Sequence, residues 1–253
     1  MPPAEGAGHR TAVVAGGGGE IGRAVALRLA CDGARVVAVD LDRAAAEATA
    51  EAVVAAGGAG VAVEADLTSS EAVDAAFEAA AAEGDVEVVV HAAGVLRTAR
   101  LMKLDEQEWD EVFDANAKSR FLVSRAGARA MGDHGRGGAI VDVGSITSER
   151  VTPGRLHYCV ANAVSSSLMD ALAEELAPRG IRVFSIESGP VATKMIGYRA
   201  SDPERLARFL QFIPIGRLGQ PDDIADAVAF LAGEETVGMS GARLHLDGGW
   251  TAG

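Results

Sequence analysis

Short runs rich in β-branched residues alternate with longer helix-forming stretches along almost the whole chain, and this alternation constrains the fold more than any other feature of the sequence. We expect strands at residues 11–15, 34–40, 60–64, 86–91, 139–143, 181–186 and 242–246. Helices fill the intervals between them, which is the pattern of a parallel sheet covered on both faces. The sequence therefore predicts an α/β fold built on a doubly wound parallel sheet.

Length and composition predict one domain. The chain has 253 residues, of which 49% are hydrophobic, and this is enough for one large core. The sequence shows no internal repeat and no linker that would divide it. We expect a flexible N-terminal tail at residues 1–10 and a single domain over residues 11–253.

The charge and the cysteines exclude several classes of partner. A formal net charge of −13 disfavours binding to nucleic acid or to an anionic membrane. Residues 1–10 have no apolar core of a signal peptide, and no apolar run approaches the length of about 18 residues that a membrane span requires, so we expect a cytoplasmic protein. Cys31 and Cys159 are too few and too far apart for a disulfide framework or a zinc site, and we expect no bound metal.

Four consecutive glycines join the first predicted strand to the first predicted helix. Glycine lets the backbone turn sharply and approach a pyrophosphate, whose charge then faces the N-terminus of the helix. Glycine clusters also mark ordinary tight turns, so the argument depends on the position between strand and helix. The sequence predicts a dinucleotide-binding domain of the Rossmann type, with the phosphates near Gly16, Gly18, Gly19, Glu20, Ile21 and Gly22.

An acidic residue at the end of the second predicted strand indicates which dinucleotide is bound. Asp40 follows Gly22 by 18 residues, where a carboxylate accepts hydrogen bonds from the adenosine ribose and repels a 2′-phosphate. With Leu41 beside it, Asp40 predicts NAD(H) as the cofactor. The alternative is that Asp40 only caps the next helix. Arg43 is a competing signal for a 2′-phosphate, although an arginine in a first helical turn is usually solvated.

Motifs over almost the whole chain resemble those of the short-chain dehydrogenase/reductase family. In the glycine turn Gly16 and Gly22 match the family signature, whereas Ala15 replaces a threonine and Glu20 replaces the middle glycine. Asn116 matches the family's active-site asparagine, and residues 214–219 and 246–250 are similar to the usual ending. Further matches are the adenine-contacting pair Asp66-Leu67 and the run His91-Ala92-Ala93-Gly94, which stands where the family has Asn-Asn-Ala-Gly.

The resemblance also assigns the nicotinamide side of the site. Gly189, Val191 and Thr193 lie in the segment that resembles the family's nicotinamide contact, although Glu187-Ser188-Gly189-Pro190 stands where the family has Pro-Gly. Residues 195–213 correspond to the variable substrate lid. The resemblance further implies a small-molecule substrate and a homo-oligomer of four subunits that associates through the long helices and the C-terminal segment.

The catalytic residues of the family are present here with one exception. In that family a tyrosine transfers the alcohol proton, a serine thirteen residues earlier polarises the carbonyl, and a lysine four residues later acts on both tyrosine and ribose. Tyr158 and Ser145 have this spacing. Asn162 stands in place of the lysine, and none of the chain's three lysines, Lys103, Lys118 and Lys194, is at the motif position.

Three functions remain open from the sequence. The leading one is an NAD(H)-dependent oxidoreductase that interconverts a secondary alcohol and a ketone, with Tyr158 as acid/base, Ser145 as carbonyl polariser, Asn116 as a water holder and Asn162 as a neutral ribose contact. The second is a non-redox dehydratase, cyclase or isomerase that uses Ser145 and Tyr158. The third is a catalytically silent subunit that keeps the cofactor site.

Overall fold

The computed structural model describes residues 10–197 and 202–252, without the side chains of Asp133, His134 and Arg205. The strands are β1 (Thr11–Ala15), β2 (Arg35–Asp40), β3 (Ala59–Glu64), β4 (Val86–His91), β5 (Gly138–Ser145), β6 (Ile181–Ser188) and β7 (Ala242–Leu246). The helices are α1 (Glu20–Cys31), α2 (Arg43–Ala55), α3 (Ser70–Glu83), α4 (Glu106–Phe113), α5 (Ser119–His134), α6 (Leu156–Leu176), α7 (Pro203–Leu210) and α8 (Pro221–Ala232).

All seven strands are parallel and form one sheet in the order β3-β2-β1-β4-β5-β6-β7. The predicted α/β fold, a single-domain, doubly wound parallel sheet of the Rossmann type, is confirmed. Each predicted strand is present, with small changes at the ends. The largest change is in β5, which continues to Ser145 because its last residues still pair with β6, where Ser145 is opposite Ser188.

Two apolar cores lie on the two faces of the sheet. Helices α1, α2 and α8 pack on one face, around Leu29, Val53 and Val228. Helices α3, α5 and α6 pack on the other face, around Phe77, Met131 and Met169. Both cores rely on valine and alanine, which explains how a chain with 4% aromatic residues fills them. Burial of strands on both faces is what a parallel sheet requires.

Two local features differ from the prediction. The helical interval between β4 and β5 is interrupted by a π-helical turn at Asp114–Lys118, between α4 and α5, and Asn116 lies in this turn. Arg10 was assigned to the tail, but its carbonyl accepts a hydrogen bond from the Arg35 backbone at 2.9 Å, so it belongs to the folded domain. The rest of the predicted tail lies outside the described residues. The N-terminus of α2 is capped, because the Asp42 side chain accepts from Ala45 N at 3.1 Å.

The strand order places the functional end of the sheet. The chain leaves β1 for β2 on one side, and β4 returns on the other side of β1. Ligands of open α/β sheets bind outside the carboxyl ends of the strands at such a switch point. The residues that follow β1, β2, β3 and β4 are therefore the ones that can surround a ligand.

Candidate active site

A groove of about 360 Å³ opens at the carboxyl ends of β1 to β4. Twelve of the sixteen residues that we expected to bind the cofactor line it, namely Gly16, Gly19, Glu20, Ile21, Asp40, Leu41, Asp66, Leu67, Ala92, Ala93, Gly94 and Thr193. The sequence did not indicate the other wall residues, Thr68, Val95, Ala115, Ser119 and Met195. Ser119 had a signal, since it follows Asn116 by one helical turn.

The glycine turn fits a phosphate group at this groove. Gly16 has a φ of +82°, and a Cβ there would lie 2.5 Å from the Ala93 backbone nitrogen, so only glycine lets β1 pass this close to the segment after β4. Gly19 precedes the twelve-residue helix α1, and no side chain caps its first turn. The backbone N–H groups of that turn are thus available to an anion.

Asp40 is held in place by two backbone N–H groups. Its Oδ2 accepts from Gly18 N at 2.9 Å, and its Oδ1 accepts from Asp42 N at 3.0 Å. A Cβ on Gly18 would lie 3.0 Å from this carboxylate, which explains the absence of a side chain there. Asp42, and not Asp40, caps α2, so the capping alternative for Asp40 does not apply. The carboxylate therefore stands at the groove with its position fixed.

Glu20 connects the glycine turn to the segment after β6. Its Oε2 accepts a hydrogen bond from the backbone nitrogen of Lys194 at 2.7 Å. Both Glu20 and Thr193 line the groove, so this bond crosses it close to the N-terminus of α1. The acidic side chain that replaces the family's middle glycine thus closes one end of the groove.

Four of the predicted cofactor residues do not line the groove. Gly18 lies behind the wall and donates to Asp40. A Cβ on Gly22 would lie 2.0 Å from the Gly16 carbonyl oxygen, so Gly22 lets α1 pack on the turn. A Cβ on Gly189 would lie 2.6 Å from the Asp247 Cα, and Val191 is buried. These residues shape the site through packing, and their contact with the cofactor stays a prediction.

Ser145, Asn116 and Tyr158 lie at the same end of the molecule as the groove. Ser145 ends β5, and its Oγ accepts a hydrogen bond from the Thr147 hydroxyl at 3.0 Å. The Asn116 side chain makes two hydrogen bonds to Val95, because its amide donates to the Val95 carbonyl and its oxygen accepts from Val95 N, both at 2.7 Å. Asn116 therefore anchors the segment after β4, which lines the groove. Tyr158, in the first turn of α6, packs with Ala117 and Ala161.

The Asn162 side chain is buried and bonded within its own helix. It is 2% exposed, and its amide donates to the carbonyl oxygen of Tyr158 at 2.8 Å, within its own helix. An asparagine side chain is short enough to reach the carbonyl one turn earlier, whereas a lysine would extend past it. In this conformation the amide is engaged within α6, and a contact of Asn162 with a ribose stays a prediction.

A group of buried charged residues lies under the site and was missed from the sequence. The Arg120 guanidinium donates to the Asp142 carboxylate at 2.6 Å and to the Val143 carbonyl at 3.1 Å. Burial raises the pKa of Asp142 from its ordinary value. Burial, together with the Arg120 charge, lowers the pKa of His91 well below its ordinary value, so this histidine is neutral. His91 is thus a buried, uncharged imidazole at neutral pH.

Glu187 is a second buried acid of this region. It is completely buried, and three serine hydroxyls lie within hydrogen-bond distance of its carboxylate, at 2.6 Å for Ser185 and at 2.9 Å for Ser148 and Ser166. Ser148 belongs to the turn after Ser145, and Ser166 lies one helical turn after Asn162. Glu187 therefore links the strand end that carries the serine to the helix that carries the tyrosine.

The predicted lid is described only in part. Residues 195–197 and 202–213 are described, and they include α7, whereas Tyr198 and Arg199 lie outside the described residues. Phe209 and Phe212 both contact Trp250, with ring centroids 5.3 and 5.4 Å, respectively, from the Trp250 ring centroid.

Both cysteines are free thiols. In the described part of the chain no helix is long and apolar enough to cross a membrane.

Comparisons with known proteins identify the family. The sequence model described as enoyl-(acyl carrier protein) reductase matches residues 17–251. A (3R)-3-hydroxyacyl-CoA dehydrogenase from Canis lupus familiaris is 38% identical over 248 residues, which cover 94% of this chain and 95% of that protein. The 3-oxoacyl-[acyl-carrier-protein] reductase FabG of Escherichia coli K12 is 34% identical over 241 residues, which cover 95% and 96% of the two chains.

Solved structures agree with this assignment. A short-chain type dehydrogenase/reductase from Mycobacterium marinum superimposes with a TM-score of 0.91 at 29% identity, covering 96% of each chain. A candidate 2-deoxy-d-gluconate 3-dehydrogenase from Agrobacterium tumefaciens, solved with bound NADP, has a TM-score of 0.89 at 32% identity and covers 96% of this chain and 97% of its own. The chain therefore belongs to the short-chain dehydrogenase/reductase family of oxidoreductases that act on alcohols and ketones.

Proposed function

We propose that the protein is an NAD(H)-dependent oxidoreductase that interconverts a secondary alcohol and a ketone. The observation that supports this proposal most is that Ser145, Tyr158 and Asn116 lie at the same end of the sheet as the groove that has Asp40 on its wall, and that Asn116 is hydrogen-bonded to Val95 of that wall. Bound NAD(H) would supply or accept the hydride. The groove residues fit a dinucleotide, since a glycine turn, an uncapped helix and a carboxylate follow one another along it.

Each side chain has a defined task in this proposal. Tyr158 exchanges the proton of the substrate oxygen, and Ser145 donates a hydrogen bond to that oxygen once its hydroxyl rotates toward the ligand. Asn116 holds the segment after β4 through its two bonds to Val95. Tyr158→Phe removes the phenolic proton and little volume, so the rate should fall by orders of magnitude while NADH affinity holds. If Tyr158→Phe and Ser145→Ala both keep wild-type rates, these roles are wrong.

The choice of NAD(H) depends on the fixed carboxylate of Asp40. A 2′-phosphate at the ribose would meet this carboxylate, and Arg43, the competing cation, is paired with Glu47 at 2.8 Å on the surface of α2. The Agrobacterium relative was solved with NADP, so the cofactor must be measured for this chain. Titration of both reduced cofactors should show tighter binding of NADH. Asp40→Ala should narrow the difference, and equal or tighter binding of NADPH to the wild type would contradict the proposal.

The distribution of charge suggests a substrate with an anionic group. The segments after β4, β5 and β6, at 92–105, 146–155 and 189–213, hold nine basic and four acidic residues, a formal charge of +5. The remaining 14 basic and 32 acidic residues give −18. The described residues of these segments flank the substrate side of the groove, with Val95, Thr193 and Met195 on its wall, and a positive mouth on an acidic protein attracts anions. The acyl-CoA that names the canine relative carries such charge.

A panel of three ketones tests the reaction and the charge preference together. Acetoacetyl-CoA, L-tagatose and cyclohexanone are offered with NADH, and oxidation of NADH is followed by absorbance. We expect turnover of acetoacetyl-CoA, with a KM that rises with salt because screening weakens the attraction. L-tagatose, an uncharged ligand, serves as the salt control. Faster turnover of L-tagatose or a salt-independent KM would refute the anionic substrate.

One observation favours a second function, namely the commitment of Asn162 to the Tyr158 carbonyl. Without an ammonium near the tyrosine, the chain could bind the cofactor and catalyse a non-redox reaction or none. NADH binding without oxidation by any ketone of the panel would support this second function.

We also propose that the protein is cytoplasmic and forms a homotetramer. Apolar side chains are exposed on α5 and α6, the long helices through which the family associates, among them Phe121, Val160 and Val164. A single sedimenting species near 25.8 kDa at micromolar concentration would contradict the tetramer.

A further inference from the structure

Two neighbouring side chains hold the π-helical turn that carries Asn116. The Ser119 hydroxyl donates to the Ala115 carbonyl at 2.7 Å, and the Arg120 guanidinium donates to the Asn116 carbonyl. A π-helical turn shifts the backbone hydrogen bonds by one residue, and such turns are common at functional sites. Here the side chains of Ser119 and Arg120 donate hydrogen bonds to carbonyl groups of the turn, in addition to the backbone N–H groups.

The same two side chains connect the turn to the sheet. His91, at the end of β4, is 2.9 Å from the Ser119 hydroxyl through its Nε2. Arg120 donates to Asp142 and Val143 in β5. His91 and Asp142 are directly paired residues of β4 and β5, so the turn is tied to both strand ends.

Stability alone does not account for a charged pair in this position. Among the residues whose burial the structure describes, Arg120 is the only buried lysine or arginine. A buried ion pair loses about as much by desolvation as it gains by attraction, and apolar residues of similar volume often replace such a pair without loss of stability. Apolar residues could not, however, donate a hydrogen bond to the Asn116 carbonyl.

The turn is in contact with the catalytic tyrosine. Ala117, the residue after Asn116, packs with Tyr158 and Ala161 in one small cluster. Asn162 cannot strengthen this contact from the other side, because its amide is bound within α6. Any movement of the turn would therefore change both the packing of Tyr158 and the position of Val95 in the groove wall.

We propose that Arg120 is a positioning residue of this active site, which fixes the turn against Tyr158 through its bond to the Asn116 carbonyl and its ion pair with Asp142. The proposal rests on the proposed function for its effect on rate, but not for its effect on the turn. The spacing of Ser145, Tyr158 and Asn162 predicts no role for Arg120 or Asp142.

The test replaces the whole pair, because removal of one partner would leave a buried uncompensated charge. The variant Arg120→Met/Asp142→Leu keeps the volume and removes the donor to Asn116. Its matched control is Arg35→Met/Glu83→Leu, which removes the ion pair at 2.7 Å at the opposite end of the sheet. Melting temperature, NADH affinity, kcat and KM are measured for the ketone that the wild type reduces fastest, together with hydrogen exchange of peptides covering residues 112–121.

We expect the pair variant to melt within a few degrees of the wild type, to bind NADH normally and to lose at least tenfold in kcat, with faster exchange in the turn. The control variant should keep both kcat and exchange. Unchanged kcat and exchange in a folded pair variant would overturn the proposal, as would equal losses in kcat and NADH affinity, which indicate general damage.

Two further outcomes are also decisive. If the pair variant does not fold, Arg120→Lys is used instead, since it keeps the charge but cannot reach Asp142, Val143 and Asn116 together. A wild-type kcat for Arg120→Lys would overturn the proposal. If the wild type reduces none of the ketones, the proposed function fails separately, and the exchange rate of the turn still decides whether Arg120 holds it.

Discussion

Asn162→Lys tests whether the missing ammonium limits catalysis. The substitution gives up the amide bond from Asn162 to the Tyr158 carbonyl, which is worth about 1 kcal/mol. In return it places an ammonium one helical turn from Tyr158, on the same side of α6. Asn162 is 2% exposed, so the new charge meets little water.

The attraction between the new ammonium and the Tyr158 phenolate is larger than the free energy of the lost amide hydrogen bond. An ammonium about 5 Å from a phenolate, at an effective dielectric constant of about 20, stabilises the phenolate by roughly 3 kcal/mol, which corresponds to about 2 pKa units. Burial of the ammonium opposes this gain, so the figure is an upper limit. We expect the pKa that governs the basic limb of the rate profile to fall, and the rate at neutral pH to rise.

The assay is the pH dependence of kcat for reduction of the best ketone by saturating NADH, between pH 6 and 10. Asn162→Met is the matched control, since it has nearly the length of lysine without its charge. It should lose the amide bond and leave the basic limb where it is. A basic limb that stays in place or rises in Asn162→Lys would refute the electrostatic argument. Loss of redox turnover in Asn162→Lys alone would show that the pocket is adapted to different chemistry.

Two further predictions concern the groove and the buried histidine. Glu20→Gln keeps an acceptor for Lys194 N but removes a negative charge near the phosphates, so NADH should bind about fivefold more tightly, a gain of roughly 1 kcal/mol in calorimetric titration; weaker binding would contradict this. The pKa of His91 is lowered in the folded state, so its contribution to stability is complete above the ordinary value near 6.5 and is lost as the pH falls below it, at about 1.4 kcal/mol per pH unit. In urea unfolding below pH 6.5, His91→Asn should therefore lose stability less steeply than the wild type; parallel curves would contradict this.

The strands and the groove could be predicted because each depends on local sequence. A parallel strand buried on both faces requires a run of apolar β-branched residues, and the glycine turn requires its φ angles, so both leave direct signals. The resemblance to a known family then located Ser145 and Tyr158 by spacing alone. Asp40 was found for the same reason, because it stands at a fixed position in the motif.

The buried charges could not be predicted because they depend on contacts between distant residues. Arg120 reads as a solvated helix residue until β5 places Asp142 against it, 22 residues further along the chain. Glu187 likewise becomes satisfied only when Ser148, Ser166 and Ser185 come together from three elements. The sequence also could not predict the direction of the Asn162 side chain. Rotation about its first side-chain bond would turn the amide either toward a ribose or toward the Tyr158 carbonyl, and the local sequence does not select between these two rotamers.

The contact of Phe209 and Phe212 with Trp250 has a practical and a functional consequence. The Phe212 ring is stacked on the indole at an interplanar angle of 17°, and both phenylalanines belong to the segment over the substrate side. Any outward swing of α7 must separate these rings and expose Trp250 to water. The emission of this tryptophan should thus shift to longer wavelength when the segment opens. Opening of the site therefore requires Trp250 to lose its contacts with Phe209 and Phe212. A neighbouring subunit that binds the segment around Trp250 would oppose this opening and slow the release of product.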